Sequence, residues 1–99
     1  MTNFSKKVLN CCKQIPKGKI TTYKKIAISI GQPNASRAVG NALNKNPSLV
    51  RIPCHRVVKS NGEISSYALG QKNKISLLKK EGIKIKNGKI DLEKYLFDF

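Results

Sequence analysis

The chain has 99 residues, with 20 Lys and Arg against 5 Asp and Glu, one His, three Cys and no Trp, for a formal charge of +15. That length holds one domain with little room for a second, and 39% hydrophobic residues suit a modest core and exclude wholesale disorder. No stretch approaches the ~20 apolar residues of a membrane span, residues 1–10 lack the apolar run of a secretory signal, and an odd cysteine count with Cys11 beside Cys12 argues against a disulfide framework.

Residues 4–13 place Phe4, Val8, Leu9, Cys11 and Cys12 on one side of a helix, with Ser5 as its N-cap and Pro16 and Gly18 ending the segment. Residues 20–23 read either as a short extended stretch or as the lead-in to a second helix over 23–30, with Ile26, Ala27 and Ile30 inward and Gly31 as its stop. Asn34 is placed to cap a third helix ending near Asn44, with Ala35, Ala38, Val39, Ala42 and Leu43 as its apolar stripe. Two short helices joined by Gly31-Gln32-Pro33-Asn34 fit a helix-turn-helix or an ordinary helical hairpin. The small residues Ala35, Ser36, Ala38 and Gly40 give the second helix a slim face that can lie against a nucleic-acid groove.

Asn46-Pro47-Ser48 reads as a turn, residues 49–52 as a short apolar stretch that Pro53 interrupts, Ser60-Asn61-Gly62 as another turn and 66–70 as a loop. Residues 72–80 form a helix with Ile75, Leu77 and Leu78 inward, and the alternation over 83–92 around Asn87-Gly88 predicts a hairpin. The tail from Glu93 ends in Leu96, Phe97 and Phe99, expected to dock on the body. The expected fold is mainly α with a small β element, a winged-helix-like helix-turn-helix domain over 1–99 with its core at 4–84 and a C-terminal hairpin and tail at 83–99.

The charge is uneven. Residues 91–99 hold Asp91, Glu93 and Asp98 with one Lys, so the first 90 residues carry 19 basic and 2 acidic groups, a net +17. A surface so imbalanced repels itself unless a polyanion is near, which makes nucleic acid the leading partner against a generic solvated basic surface. Among 17 lysines stand three arginines, Arg37, Arg51 and Arg56, and the planar guanidinium can stack or bind bidentately where Lys cannot.

Pro53-Cys54-His55-Arg56 is where a reactive thiol can be made, because the thiolate is the nucleophile and a neighbouring base or cations raise its population. Pro53 stiffens the approach and can present Cys54 on a strained turn. A buried small hydrophobe is the plainer role for any cysteine, and Cys11 and Cys12 are assigned to the core on that ground. The three cysteines and His55 lack the spacing of a zinc site, so no metal is expected.

Ile52-Pro53-Cys54-His55-Arg56-Val57 matches the active-site hexapeptide of the O6-alkylguanine-DNA alkyltransferases, and the chain resembles that family well beyond it. Ile15-Pro16-x-Gly18, Thr22-Tyr23-x-x-Ile26-Ala27, Ser36-Arg37-Ala38-Val39-Gly40, Asn46-Pro47, Tyr67 and Leu77-Leu78-x-x-Glu81-Gly82 fall at the family's spacing, so that the resemblance covers residues 4 to about 84. The N-terminal domain of two-domain members has no counterpart in these residues.

The resemblance implies that a damaged guanine is flipped out of the duplex and its O6-alkyl group moved irreversibly to Cys54, flipping being required because the alkyl carbon is shielded in the stack. By family likeness His55 takes the Cys54 proton through a water, Glu81 orients His55, and Asn46 braces the turn that holds both. Tyr23 donates to the guanine ring nitrogen, the carbonyls of Cys54 and Val57 read the exocyclic amine, the Ala68 amide faces O6 and Tyr67 lines the alkyl pocket. Arg37 fills the stack vacated by the base while its helix enters the minor groove on Ala35, Ser36, Ala38 and Gly40. Arg56 is read as structural or phosphate-directed, and Arg51 has no specific role.

A DNA methyltransferase acting once on double-stranded DNA containing O6-alkylguanine is thus expected, with O4-alkylthymine as a further substrate, no cofactor, no membrane partner and a monomeric state. The expected location is the cytoplasm, at the nucleoid in a prokaryote. Two other readings compete: a non-catalytic lesion-recognition module, whose known forms replace the cysteine, commonly with Trp, and an unrelated architectural DNA-binding protein.

Overall fold

A computed structural model describes residues 2–46, 52–64, 67 and 69–99. The expectations for residues 47–51, for Ser65 and Ser66 and for Ala68 lie outside the described residues.

Helix α1, Asn3–Cys12, is capped by Thr2, whose hydroxyl accepts from the Ser5 amide at 3.1 Å. Ser5 therefore lies in the first turn and is not the cap: Thr2 is extended, the backbone shape from which a hydroxyl reaches the third helical amide. The predicted inward face holds, with Val8, Leu9, Cys11 and Cys12 buried and Phe4 packed at its edge. Strand β1, Thr21–Thr22, runs directly into α2, Tyr23–Ser29, and the Thr22 hydroxyl caps that helix by accepting from the Lys25 amide. Both alternatives for residues 20–23 are thus realised at once.

Helix α3, Ser36–Asn44, begins later than Asn34 would require. The Ala35 amide donates back to Gln32 O at 2.9 Å, so a turn absorbs the expected first helical residue and Ala35 becomes an N-cap with no side-chain bond. The inward stripe is narrower than predicted: Val39, Ala42 and Leu43 are buried, whereas Ala38 is exposed and Ala35 half-buried. The face without bulk is turned outward.

Val57 and Val58 form β2, paired in parallel with β1 so that Thr21 lies beside Val57 and Thr22 beside Val58. Successive strand side chains point to opposite faces. Val57 accordingly joins a cluster built by α1, α2 and α3 with Cys54 and Tyr67, while Val58 joins a second cluster of Ile20, Ile64, Leu78, Ile83, Ile90 and Tyr95. Two residues of parallel strand thus bring one side chain into each cluster.

Helix α4, Gln71–Lys80, precedes the hairpin of β3, Ile85–Lys86, and β4, Lys89–Ile90. Its turn has Asn87 at φ 54° and Gly88 at φ 73°, the two positive values that a two-residue hairpin turn matching the strand twist demands. Gly62 in the preceding turn is fixed by space as well as by its φ of +87°, since a Cβ there would sit 2.5 Å from Ile90 O. Helix α5, Leu92–Tyr95, delivers the tail: Tyr95 O accepts from the Ile20 amide at 2.9 Å, and the Phe97 amide donates to Ile20 O at 2.7 Å. Phe97 packs on the first cluster as expected, but Phe99 stays 42% exposed, stacked edge-on against Phe97 rather than docked. The architecture is mainly α with a small β element, and no helix among the described residues is long and apolar enough to cross a membrane.

Candidate active site and nucleic-acid interface

Cys54 opens a 3₁₀ turn, Cys54–Arg56, at the junction between the helical cluster and β2. The turn carries no strain of the expected kind: Pro53 has φ −81°, and Asn87 is the only described non-glycine residue with positive φ. Cys54 is 6% exposed. Its sulfur accepts from Asn46 Nδ2 at 2.8 Å, and its thiol can donate to Leu43 O at 3.5 Å. The same Asn46 amide donates to Ile52 O at 3.0 Å, so one side chain ties the end of α3 to both flanks of Pro53.

The Cys54 thiol lies below its usual pKa. The largest cause is a hydrogen bond from the Cys12 side chain. Burial opposes it, and the Asn46 bond and the nearby Lys74 charge add to the lowering. These groups favour the thiolate, the form that reacts.

His55 is buried and its Nε2 lies 2.9 Å from Glu81 Oε2. Burial is the main reason its pKa falls; Glu81 pulls the other way, and Arg56 and Lys74 reinforce the fall. A neutral ring donating through Nε2 to a carboxylate keeps its lone pair on Nδ1, and Nδ1 is buried with no partner among the described residues. Glu81, half-buried at the end of α4, would be raised by desolvation alone, but hydrogen bonds from Arg56 and His55 outweigh this and hold its carboxyl below the usual range. Tyr67 meets the His55 ring edge-on at 6.4 Å between centroids, and burial raises its phenol.

Two cations complete the site, one of the two roles read for Arg56 in the sequence being realised and Lys74 having been given none. Arg56 grips Glu81 with Nε on Oε1 at 2.9 Å and Nη2 on Oε2 at 2.7 Å, while Nη1 donates to Ile15 O at 2.7 Å. It is a structural clamp on the carboxylate, which excludes the phosphate-directed alternative. Lys74 is fully buried; its Nζ donates to Val57 O at 2.6 Å and stands 5.9 Å from the centre of the Tyr23 ring. Burial brings its pKa down to about 8, against the pull of Cys54 and Cys12. The signal was available, because Lys74 lies four residues before the buried Leu78 and so on the same helical stripe.

The remaining predicted residues divide. Val57 O accepts from Lys74 Nζ, and Cys54 O accepts from the Val57 amide. Tyr23 begins α2 half-buried, its ring 3.7 Å from where a Cβ on Gly40 would lie. Arg37 and Ala38 are exposed on α3, and Ser36, Arg37 and Gly40 line a 450 Å³ groove with Tyr23, Asn41 and Lys59. A second groove of 300 Å³ joins Tyr23 and Ser36 to Lys24 and Ser60. Neither is lined by Cys54. Cys12, assigned to the core, is there.

A family model described as 6-O-methylguanine DNA methyltransferase, DNA binding domain, matches residues 3–83. A methylated-DNA–protein-cysteine methyltransferase from Methanosarcina acetivorans is 52% identical over 81 residues, which is 82% of this chain and 52% of that protein. The chain spans about half the length of the curated relatives it matches. Among solved structures, S. pombe Atl1 bound to damaged DNA containing O6-carboxymethylguanine is similar with a TM-score of 0.89 and 32% identity, covering 99% of this chain and 97% of Atl1. Mycobacterium tuberculosis OGT in complex with DNA has a TM-score of 0.80 and 40% identity over 82% of this chain and 50% of its own.

Proposed function

The chain belongs to the 6-O-methylguanine DNA methyltransferase family, and from that premise we propose that it repairs DNA by direct reversal, moving the alkyl group of O6-alkylguanine onto Cys54. The observation that carries this reading is the thiol: Cys54 holds the nucleophile position of the motif, its acidity is raised by surrounding donors, and a His55–Glu81 pair stands beside it.

Glu81 accepts the Nε2 proton of His55, and Arg56 holds that carboxylate on both oxygens. His55 Nδ1 takes the Cys54 proton through a water. The thiolate attacks the alkyl carbon; an S–C bond forms, the C–O6 bond breaks, and its electron pair leaves with the guanine. The Tyr23 hydroxyl protonates the guanine ring nitrogen that faces it. The product is a thioether, and reversal would require stripping an alkyl group from neutral sulfur, so each molecule acts once.

The same reading assigns the outer face. Helix α3 enters the minor groove with Ala35, Ser36, Ala38 and Gly40 against the backbone, and Arg37 fills the space the flipped base leaves. A methyl at Gly40 would make only ordinary contact with Tyr23, so packing inside the chain does not demand glycine there and the slim face serves an outside partner. The carbonyls of Cys54 and Val57 read the exocyclic amine of guanine, and Tyr67 lines the alkyl pocket. One molecule meets one lesion as a monomer.

The likeness to Atl1 over nearly its whole length supports a second reading, lesion recognition without transfer. Counting lesions removed per protein molecule separates the two. Repair predicts that removal from a methylated duplex plateaus at one lesion per molecule; tight binding with no removal supports recognition alone, and continued turnover contradicts both.

A further inference from the structure

Lys74 has no surface in contact with solvent, although burying an ammonium group costs far more than burying an apolar chain of the same length. Core filling alone would be met better by Met or Leu, so the charge is explained by what it touches. Its Nζ donates to Val57 O at 2.6 Å and stands 5.9 Å from the centre of the Tyr23 ring, within range of attraction between a cation and an aromatic face. One side chain of α4 thus reaches both β2 and the first residue of α2.

We propose that Lys74 is a positioning residue for base recognition: from α4 it fixes the Val57 carbonyl and the Tyr23 ring, and so sets how strongly the site prefers a base that carries the exocyclic amine of guanine. Val57 is held on both sides. Its amide donates to Cys54 O and its carbonyl accepts from Lys74, so the two carbonyls assigned to the amine are joined through one residue.

The Val57 side chain is anchored inward, in the cluster built by the first three helices. What that leaves free is the rotation of the following peptide, and a short bond from an ammonium group removes it. The other buried donors serve other parts of the site: Arg56 holds Glu81 and Ile15 O, and Asn46 holds Ile52 O and the Cys54 sulfur. This role rests on the reading in which Cys54 O and Val57 O face the guanine, but its readout needs no methyl transfer.

The test is equilibrium binding to three duplexes of one sequence, carrying guanine, O6-methylguanine or O6-methylhypoxanthine, the last being the same lesion without its amine. Cys54→Ser is the background, because it stops transfer and removes the thiol whose ionisation the Lys74 charge also favours. With Lys74 in place, O6-methylguanine should bind about tenfold more tightly than O6-methylhypoxanthine, the scale of one hydrogen bond. Lys74→Met should cut that preference to about twofold while affinity for the undamaged duplex stays the same. An unchanged preference, an equal loss on both lesions, or no preference with Lys74 in place overturns the proposal. If Lys74→Met does not fold, Lys74→Gln decides, since its neutral amide falls one bond short of Val57 O and the same outcomes apply. The protein with Cys54 intact is assayed for methyl transfer from the O6-methylguanine duplex. A preference that falls as expected in a protein that transfers no methyl would sink the repair reading and leave the Lys74 role standing; transfer with an unchanged preference would do the reverse.

Discussion

Around Cys54 the cations are withdrawn from solvent and committed: Lys74 to Val57 O, Arg56 to Glu81 and Ile15 O. On α3 and the surface around it the cations stand in water, with Arg37 beside Ala38 and Lys24 and Lys59 along the grooves past Tyr23. The same residue types do two kinds of work. Inside, a positive charge with a fixed partner sets the ionisation of one sulfur, one imidazole and one carboxylate. Outside, under the proposed function, it sets attraction to a polyanion and, at Arg37, occupancy of a gap in stacked bases. Substitutions inside should therefore change chemistry with little effect on DNA affinity, and substitutions outside the reverse.

The largest effect expected is from Cys54→Ser. Methyl transfer should vanish while affinity for lesion-bearing duplex stays within about twofold, because a hydroxyl fits the same pocket, keeps the Asn46 bond and ionises too weakly to react. Glu81→Gln comes next. It removes the negative partner of His55 and Arg56, and single-turnover transfer should slow about a hundredfold, the usual worth of a positioned base. A Glu81→Gln protein that transfers at the wild-type rate would detach the buried pair from the chemistry.

Arg37→Ala is the outside counterpart. Transfer from duplex should slow about tenfold or more while transfer from free O6-benzylguanine is unchanged, since only the duplex has a gap to fill. Equal losses on both substrates would remove Arg37 from that role and blur the contrast between the two regions.

The two regions were not equally legible in the amino-acid sequence. The outer face was in part, because small residues at 35, 36, 38 and 40 mark a slim face one residue at a time, although Ala35 and Ala38 were also counted to the inward stripe. So were the spans of α1, α2 and α4 and the Asn87-Gly88 turn, where spacing and turn residues agree. The interior was legible only through the family resemblance. Arg56 meets Glu81 across 25 positions and Ile15 across 41, and local periodicity has no access to such pairs. Lys74 was passed over because a lysine amid Lys72, Lys79 and Lys80 does not stand out, although its stripe with Leu78 argued for burial. The caps at Thr2 and Ala35 were missed because Ser5 and Asn34 are the better capping residues by type, and backbone shape decided against them.

Lys74→Met sharpens the comparison from the interior. Loss of its charge should let the Cys54 pKa climb back toward 9.0, so that the thiolate fraction at neutral pH falls and the rise of transfer rate with pH moves to more alkaline values. The rate at neutral pH should drop several-fold without a matching loss of thermal stability, because a buried charge replaced by an apolar chain relieves desolvation. The smallest effect is expected from Lys24→Gln or Lys59→Gln. Each should lower affinity a few-fold on any sequence and reduce the salt slope by about 0.9 for each phosphate no longer neutralised, leaving the Cys54 titration untouched.

One measurement bears on the central claim most directly: the mass of the peptide containing Cys54 after incubation with a duplex carrying a single O6-methylguanine. A methyl group on Cys54 in one-to-one yield, absent from Cys54→Ser and accompanied by an unmodified guanine in the DNA, is the result predicted. An unmodified Cys54 peptide from protein that remains bound to the lesion would contradict it.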